Sequence, residues 1–145
     1  MQLNQLREEL LLQHAALREL IAQVAALNQP GQTGADTRNA LLAKLATALS
    51  EHNQFEETAL RGVIVKLDAW GPQREALMDQ HHAQEHECAF RALEQLGQVG
   101  SDEERTLRLQ QHLSALLEHM RLEEREVLHP NVLRDDATTA DPFGG

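Results

Sequence analysis

The sequence predicts an all-α protein, an antiparallel up-down-up-down four-helix bundle, from three observations. Only 3% of the residues are aromatic, with no Tyr, one Trp and three Phe, so a core must be built from Leu, Ala, Val and Ile. That composition favours helices packed on helices. Apolar residues recur at steps of three and four in four separate segments, the period of a helix with one buried face. Short links containing Gly, Pro, Ser or Asp separate these segments, as expected for antiparallel neighbours in a bundle.

The first stripe is Leu3, Leu6, Leu10, His14, Leu17, Ile21 and Val24, which predicts a helix to about Asn28. Pro30-Gly-Gln-Thr-Gly34 breaks the pattern, and Asp36 or Thr37 is placed to cap a second helix, since a short polar side chain there accepts from an otherwise orphaned amide. Its stripe includes Leu41, Leu45, Ala48, His52 and Glu56, and it ends near Trp70-Gly71-Pro72. A third stripe takes in Met78, His82, His86 or Glu85, Ala89, Leu93 and Leu96 before Gly97 to Gly100. Ser101-Asp-Glu-Glu104 then has the form of a capping box. It opens a fourth helix with Leu109, His112, Leu116, His119, Glu123 and Val127, ending at Pro130. We expect one domain over residues 1–134, within the ordinary size of a single core, and a loose tail over 135–145 without a periodic apolar face.

The formal net charge of −10 argues against a nucleic-acid partner, which requires a clustered basic surface. No window approaches the roughly 20 apolar residues of a membrane span, and the N-terminus lacks a basic region followed by an apolar stretch. The single cysteine, Cys88, leaves no internal disulfide framework. A cytoplasmic protein is the expectation. Absence of Tyr excludes a tyrosyl radical or a tyrosine acid/base supplied by this chain.

Chemistry enters through the polar members of the stripes. His52-Asn-Gln-Phe-Glu56-Glu57 and His119-Met-Arg-Leu-Glu123-Glu124 repeat one pattern 67 residues apart, and the same shift carries His14 onto His81, beside His82. An i,i+4 spacing puts imidazole and carboxylate on one helical face; His82 and His86 form a second kind of i,i+4 pair. His14, His52, Glu56, His82, His86, His119 and Glu123 all occupy positions within apolar stripes, where unpaired polar groups are costly. A bound cation removes that cost. Five imidazoles and two carboxylates form a borderline-hard set suited to iron, manganese or zinc. Seven ligands exceed the needs of one ion; two divalent ions bridged by Glu56 and Glu123 would share them and leave one position open. The ferritin-like alternative needs paired Glu-x-x-His motifs, and Glu126-Val-Leu-His129 stands alone.

Some assignments have rivals. His81 with Glu85 competes with His82 and His86 for the inward direction, and Glu124 is the second choice to Glu123. His112 precedes His119 by about 10.5 Å along a helix, which suits a supporting or plain core role rather than a shared metal. His129 suits a helix C-terminus, capping carbonyls where a cation is favoured, with a proton donor near the bundle end as the alternative. Cys88 has no second thiol and reads as a small packing residue.

The order His, His-x-x-x-Glu, His-x-x-x-His, His-x-x-x-Glu, together with the Glu-Glu runs and the helix end Val127-Leu-His-Pro130, resembles the hemerythrin-like (HHE cation-binding) family over about Leu10 to Val132. The resemblance implies a four-helix bundle with a non-haem diiron centre of two iron ions, held by His14, His52, Glu56, His82, His86, His119 and Glu123. Oxygen-carrying members have Asp five residues after the final His and aromatic-rich surroundings. Here Glu stands at both the fourth and fifth places and aromatics are few, which weighs against reversible oxygen carriage.

The expected function is therefore binding of dioxygen, another diatomic ligand or peroxide, for sensing, storage or scavenging. The alternatives are an iron-responsive or iron-donating module, a peroxide or nitric-oxide detoxifying or repair protein, and an acidic helical bundle that only self-associates. The sequence specifies no protein partner and no oligomeric state.

Overall fold

The computed structural model describes residues 2–29, 35–60 and 101–129, with Gln80, Ala83, Gln84, Glu87 and Arg91 as isolated positions between the last two. The described residues contain helices and no strand: α1 (Leu3–Ala26), α2 (Ala35–Leu60) and α3 (Asp102–Glu126). The five isolated positions are helical and exposed. They fall within the segment of the third helix expected from the sequence, off its apolar stripe; Met78, His82, His86 and the rest of that stripe lie outside the described residues. So do the expected continuation of the second helix towards Trp70 and the expected tail.

Each helix follows from its stripe. In α1 the buried residues are Leu6, Leu10, His14, Leu17, Leu20, Ile21 and Val24, and Leu3 is half-buried. In α2 the fully buried positions are Leu42, Leu45, Leu49, His52, Asn53, Glu56 and Leu60. The expected Leu41 and Ala48 flank this stripe, packed against the core but only half-buried. The face is rotated because Leu42 and Leu49 offer more apolar surface than Leu41 with the small Ala48. In α3, Leu109, Leu113, Leu116, Met120 and Glu123 are buried, whereas His112, His119 and Val127 are half-buried at the margin.

Helix ends are partly as expected. The Ser101 hydroxyl accepts the Glu104 amide at 3.1 Å, the predicted cap of α3. The second helix begins at Ala35, so Asp36 lies inside the first turn, where its charge still complements the helix dipole. At the end of α1, the Asn28 side chain donates to the Thr106 carbonyl at 2.9 Å and ties this end to the start of α3.

The contacts set the directions. α1 packs against both α2 and α3. Residues near the start of α1 meet the end of each partner: Leu6 and Leu10 pack with Leu60 and Leu128. The second half of α1 packs with Leu42, Leu45 and Leu49 of α2 and with Leu109, Leu113 and Leu116 of α3. α1 is thus antiparallel to both, and α2 and α3 run in the same direction, as the first, second and fourth helices of an up-down-up-down bundle do.

The core has two apolar clusters. The larger contains Leu17, Leu20, Ile21, Val24, Leu42, Leu45, Leu49, Leu109, Leu113, Leu116 and Met120; the smaller is Leu6, Leu10, Leu60 and Leu128. Along every helix, the polar buried residues fall between them: His14 in α1, His52 to Glu56 in α2 and Glu123 in α3. One polar layer therefore crosses the leucine core.

Candidate metal centre

That layer is closed to solvent. His14 and Glu56 are 0% exposed, while His52 and Glu123 are 6% exposed. One ligand-type atom from each of the four lies within 4.8 Å of the others. His14 Nε2 is 3.2 Å from His52 Nε2 and 3.0 Å from Glu123 Oε1. His52 Nε2 is 2.9 Å from Glu56 Oε2 and 3.9 Å from Glu123 Oε1. The i,i+4 spacing brings His52 and Glu56 together on α2, and α1 supplies His14 across the helix interface.

The opposite nitrogens of both rings have defined partners. His14 Nδ1 donates to Glu124 Oε2 at 2.8 Å, and the Arg18 guanidinium donates to the same oxygen at 2.7 Å. His52 Nδ1 donates to Gln13 Oε1 at 2.7 Å. The Gln13 amide nitrogen is engaged by Glu9 Oε1 at 3.2 Å, which leaves its oxygen as the acceptor for His52. Burial acts to raise the Glu124 pKa, but hydrogen bonds from Arg18 and His14 and their charges hold the carboxyl below its usual range. Glu124 is therefore an acceptor.

These partners determine the tautomers. A neutral imidazole carries its proton on one nitrogen and a lone pair on the other. With both Nδ1 atoms donating, the Nε2 of each neutral ring presents a lone pair. Two such lone pairs face each other at 3.2 Å, with Glu123 Oε1 at 3.0 Å from one of them. This convergence of acceptors is repulsive unless a cation, proton or metal, lies among them. Burial lowers the His14 pKa, but hydrogen bonding and charge from Glu123, then Glu124 and Glu56, outweigh it and raise it overall. The donor set fits a metal ion: nitrogen and carboxylate oxygen ligands converge, and acceptors behind the rings keep them in the metal-binding tautomer.

Glu123 extends the arrangement. Its Oε1 faces His14, and its Oε2 is 3.1 Å from His119 Nε2 one turn earlier on α3. The two oxygens of one buried carboxylate therefore address different imidazoles. Glu124, the rival for its place, turns instead to His14 Nδ1 and Arg18. Of the sequence-selected residues, His14, His52, Glu56 and Glu123 form the cluster, and half-buried His119 adjoins it through Glu123. His82 and His86, with their rivals His81 and Glu85, lie outside the described residues, as does Cys88. His112 is half-buried, and burial together with the Arg91 charge lowers its pKa. His129 is exposed just beyond α3.

Sequence reasoning missed Gln13, Arg18 and Asn53. Arg18 had a signal, its i,i+4 spacing from His14, which places a cation one turn above the ring. Asn53 interrupts the stripe between Leu49 and Leu60 as His52 and Glu56 do. Gln13 had none, because its role depends on how α1 meets α2.

Among the described residues no helix is long and apolar enough to cross a membrane. Neither the curated proteins nor the solved structures include a match to the chain. Residues 5–132, nearly the whole chain, match the hemerythrin HHE cation binding domain. With a buried His/Glu cluster suited to metal inside an all-helical core, the chain belongs to the hemerythrin HHE cation-binding family.

Proposed function

We propose that this protein is a non-haem diiron protein that binds dioxygen, another diatomic ligand or peroxide, acting as a sensor, store or scavenger. The observation that carries the metal part is the convergence of His14 Nε2, His52 Nε2 and Glu123 Oε1, with both Nδ1 atoms committed to acceptors behind the rings. In this reading His14, His52 and Glu56 serve one ion. His119, with His82 and His86, would hold a second, and Glu56 and Glu123 would be shared between the two. Support for the bridge comes from the Glu123 carboxylate, whose two oxygens face His14 and His119.

Iron bound there supplies a redox-active centre with a coordination position open to a small ligand. The chain's own residues do the rest. Glu124 and Gln13 hold the two rings in the tautomer that presents Nε2, and Arg18 keeps Glu124 ionised. The leucine clusters on either side exclude water from the polar layer. Manganese or zinc suits the same donor types, so the ion is tested directly. Iron per chain is measured by elemental analysis after anaerobic Fe(II) loading and removal of excess metal. Two per chain is the expected result; one would support a mononuclear site, and none would overturn the proposal.

A second reading, an iron-responsive module whose fold reports metal loading, is favoured by the place of the polar layer within the core. Metal that binds only the folded state stabilises it. If the metal-free chain melts without a cooperative transition and iron restores one, this reading replaces ligand binding as the primary role. A cooperative metal-free bundle favours ligand chemistry.

A further inference from the structure

The polar layer contains a side chain that the ligand set does not use. Asn53 follows His52 on α2, is 2% exposed, and has no hydrogen-bond partner for either its amide nitrogen or its amide oxygen among the described residues. Buried amides are paired in the great majority of folded proteins, because an unmet donor or acceptor gives up water without replacement. Asn28, by contrast, uses its amide nitrogen on the Thr106 carbonyl. An amide left wholly unmet in the core, and next to a ligand-type cluster, calls for an occupant that is not part of the chain.

The helix sets where that occupant lies. Asn53 precedes Glu56 by three residues, so the two share a face within one turn. His52 and Asn53 stand about 100° apart around the axis and form opposite flanks of the buried stripe. On the His52 flank the ring meets Gln13 and His14 of α1, so that side of the cluster is filled by protein. On the other flank, Asn53 shares the helical face of Glu56.

We infer that Asn53 positions the small ligand of the centre: its amide N–H donates a hydrogen bond to an anionic or oxygen-bearing ligand held beside Glu56. The inference rests on the metal-binding reading above. It gives the pocket a selectivity, favouring ligands with a hydrogen-bond acceptor over apolar gases of the same size.

Azide is the probe. Iron-loaded wild type and Asn53→Leu, which keeps the branched shape and the number of side-chain heavy atoms but has no polar atom, are titrated with azide by optical absorption, and iron per chain is measured for both. The expected result is unchanged iron content and azide binding weakened about tenfold or more, as for a lost hydrogen bond to a charged group. Should Asn53→Leu fail to fold, Asn53→Ala provides the azide comparison.

Equal azide affinity in wild type and variant, with iron retained, overturns the inference, as does iron-loaded wild type that does not bind azide. Wild type that takes up no iron is a different failure: it removes the metal centre itself, and this inference with it.

Discussion

The leucine layer around Leu17, Leu45 and Leu116 and the polar layer around His14, His52, Glu56 and Glu123 are built by the same three helices, adjacent along each helix, and both are closed to water. They differ in what closure does. In the leucine layer, each apolar side chain removed from water stabilises the fold, by roughly 1.5–3 kcal/mol for a leucine. In the polar layer, closure strips water from acceptors that then face one another. A single fold thus contains one layer complete without a cation and one that is not. Substitutions in each layer, with and without iron, show whether the two are energetically separate.

The largest effect is expected in the leucine layer. Leu45 is 1% exposed, and Leu45→Ala should lower unfolding stability by about 2–5 kcal/mol through lost burial and the cavity left behind. Chemical denaturation of the metal-free and iron-loaded proteins should give the same loss in both. A loss that appears in only one state would mean that the layers are coupled.

Iron binding itself comes next. With free iron at a hundred times its Kd, stability should rise by about 2.7 kcal/mol, seen as a midpoint that climbs with iron concentration. Glu123→Ala should abolish that dependence, because the carboxylate contacts both His14 and His119. If the variant keeps the full increment, Glu123 is not a ligand.

The residues behind the rings should matter less than the cluster and more than the surface. Glu124→Gln removes the charged acceptor of His14 Nδ1, and Gln13→Ala removes the acceptor of His52 Nδ1. Each should weaken iron binding by about 10–100-fold, the usual consequence of losing an outer partner of a metal-bound histidine, without changing the number of ions bound. Competition titration against a chelator reads this. A change in stoichiometry instead would place Glu124 among the ligands.

Leu17, Ile21, Val24, Leu45, Leu109 and Leu116 of the leucine layer were legible in the sequence, because periodicity reports which face of a helix is apolar. Its errors are mostly rotations of one position, Leu41 for Leu42, Ala48 for Leu49, His112 for Leu113 and His119 for Met120, and it omits Leu20 beside Ile21. A stripe a third of a turn wide leaves its own centre ambiguous, and packing against the neighbours fixes it. His14, His52, Glu56 and Glu123 were legible as interruptions of those stripes. Choosing Glu123 over Glu124 was not a matter of period, since both fit an inward direction; the Arg18 and His14 contacts of Glu124 separate them. Gln13 illustrates the limit. Its role exists only where α1 meets α2, and no spacing within α1 encodes a contact to His52.

The smallest effect belongs to the cap of α3, and it provides the control for the others. Ser101 accepts the Glu104 amide, and Ser101→Ala should cost about 1 kcal/mol, the typical value for a lost N-cap. The loss should not exceed that value, because Asp102, Glu103 and Glu104 in the first turn and Arg125 in the last already complement the helix dipole. Ser101 and Glu123 stand at opposite ends of α3, about 33 Å apart at 1.5 Å per residue, with the leucine layer between them. The variant should therefore unfold slightly more easily while binding iron with unchanged affinity and stoichiometry. If iron affinity falls with it, strain or fraying at one end of α3 reaches the other through the leucine layer. The layer would then be part of the metal centre's support rather than a separate core.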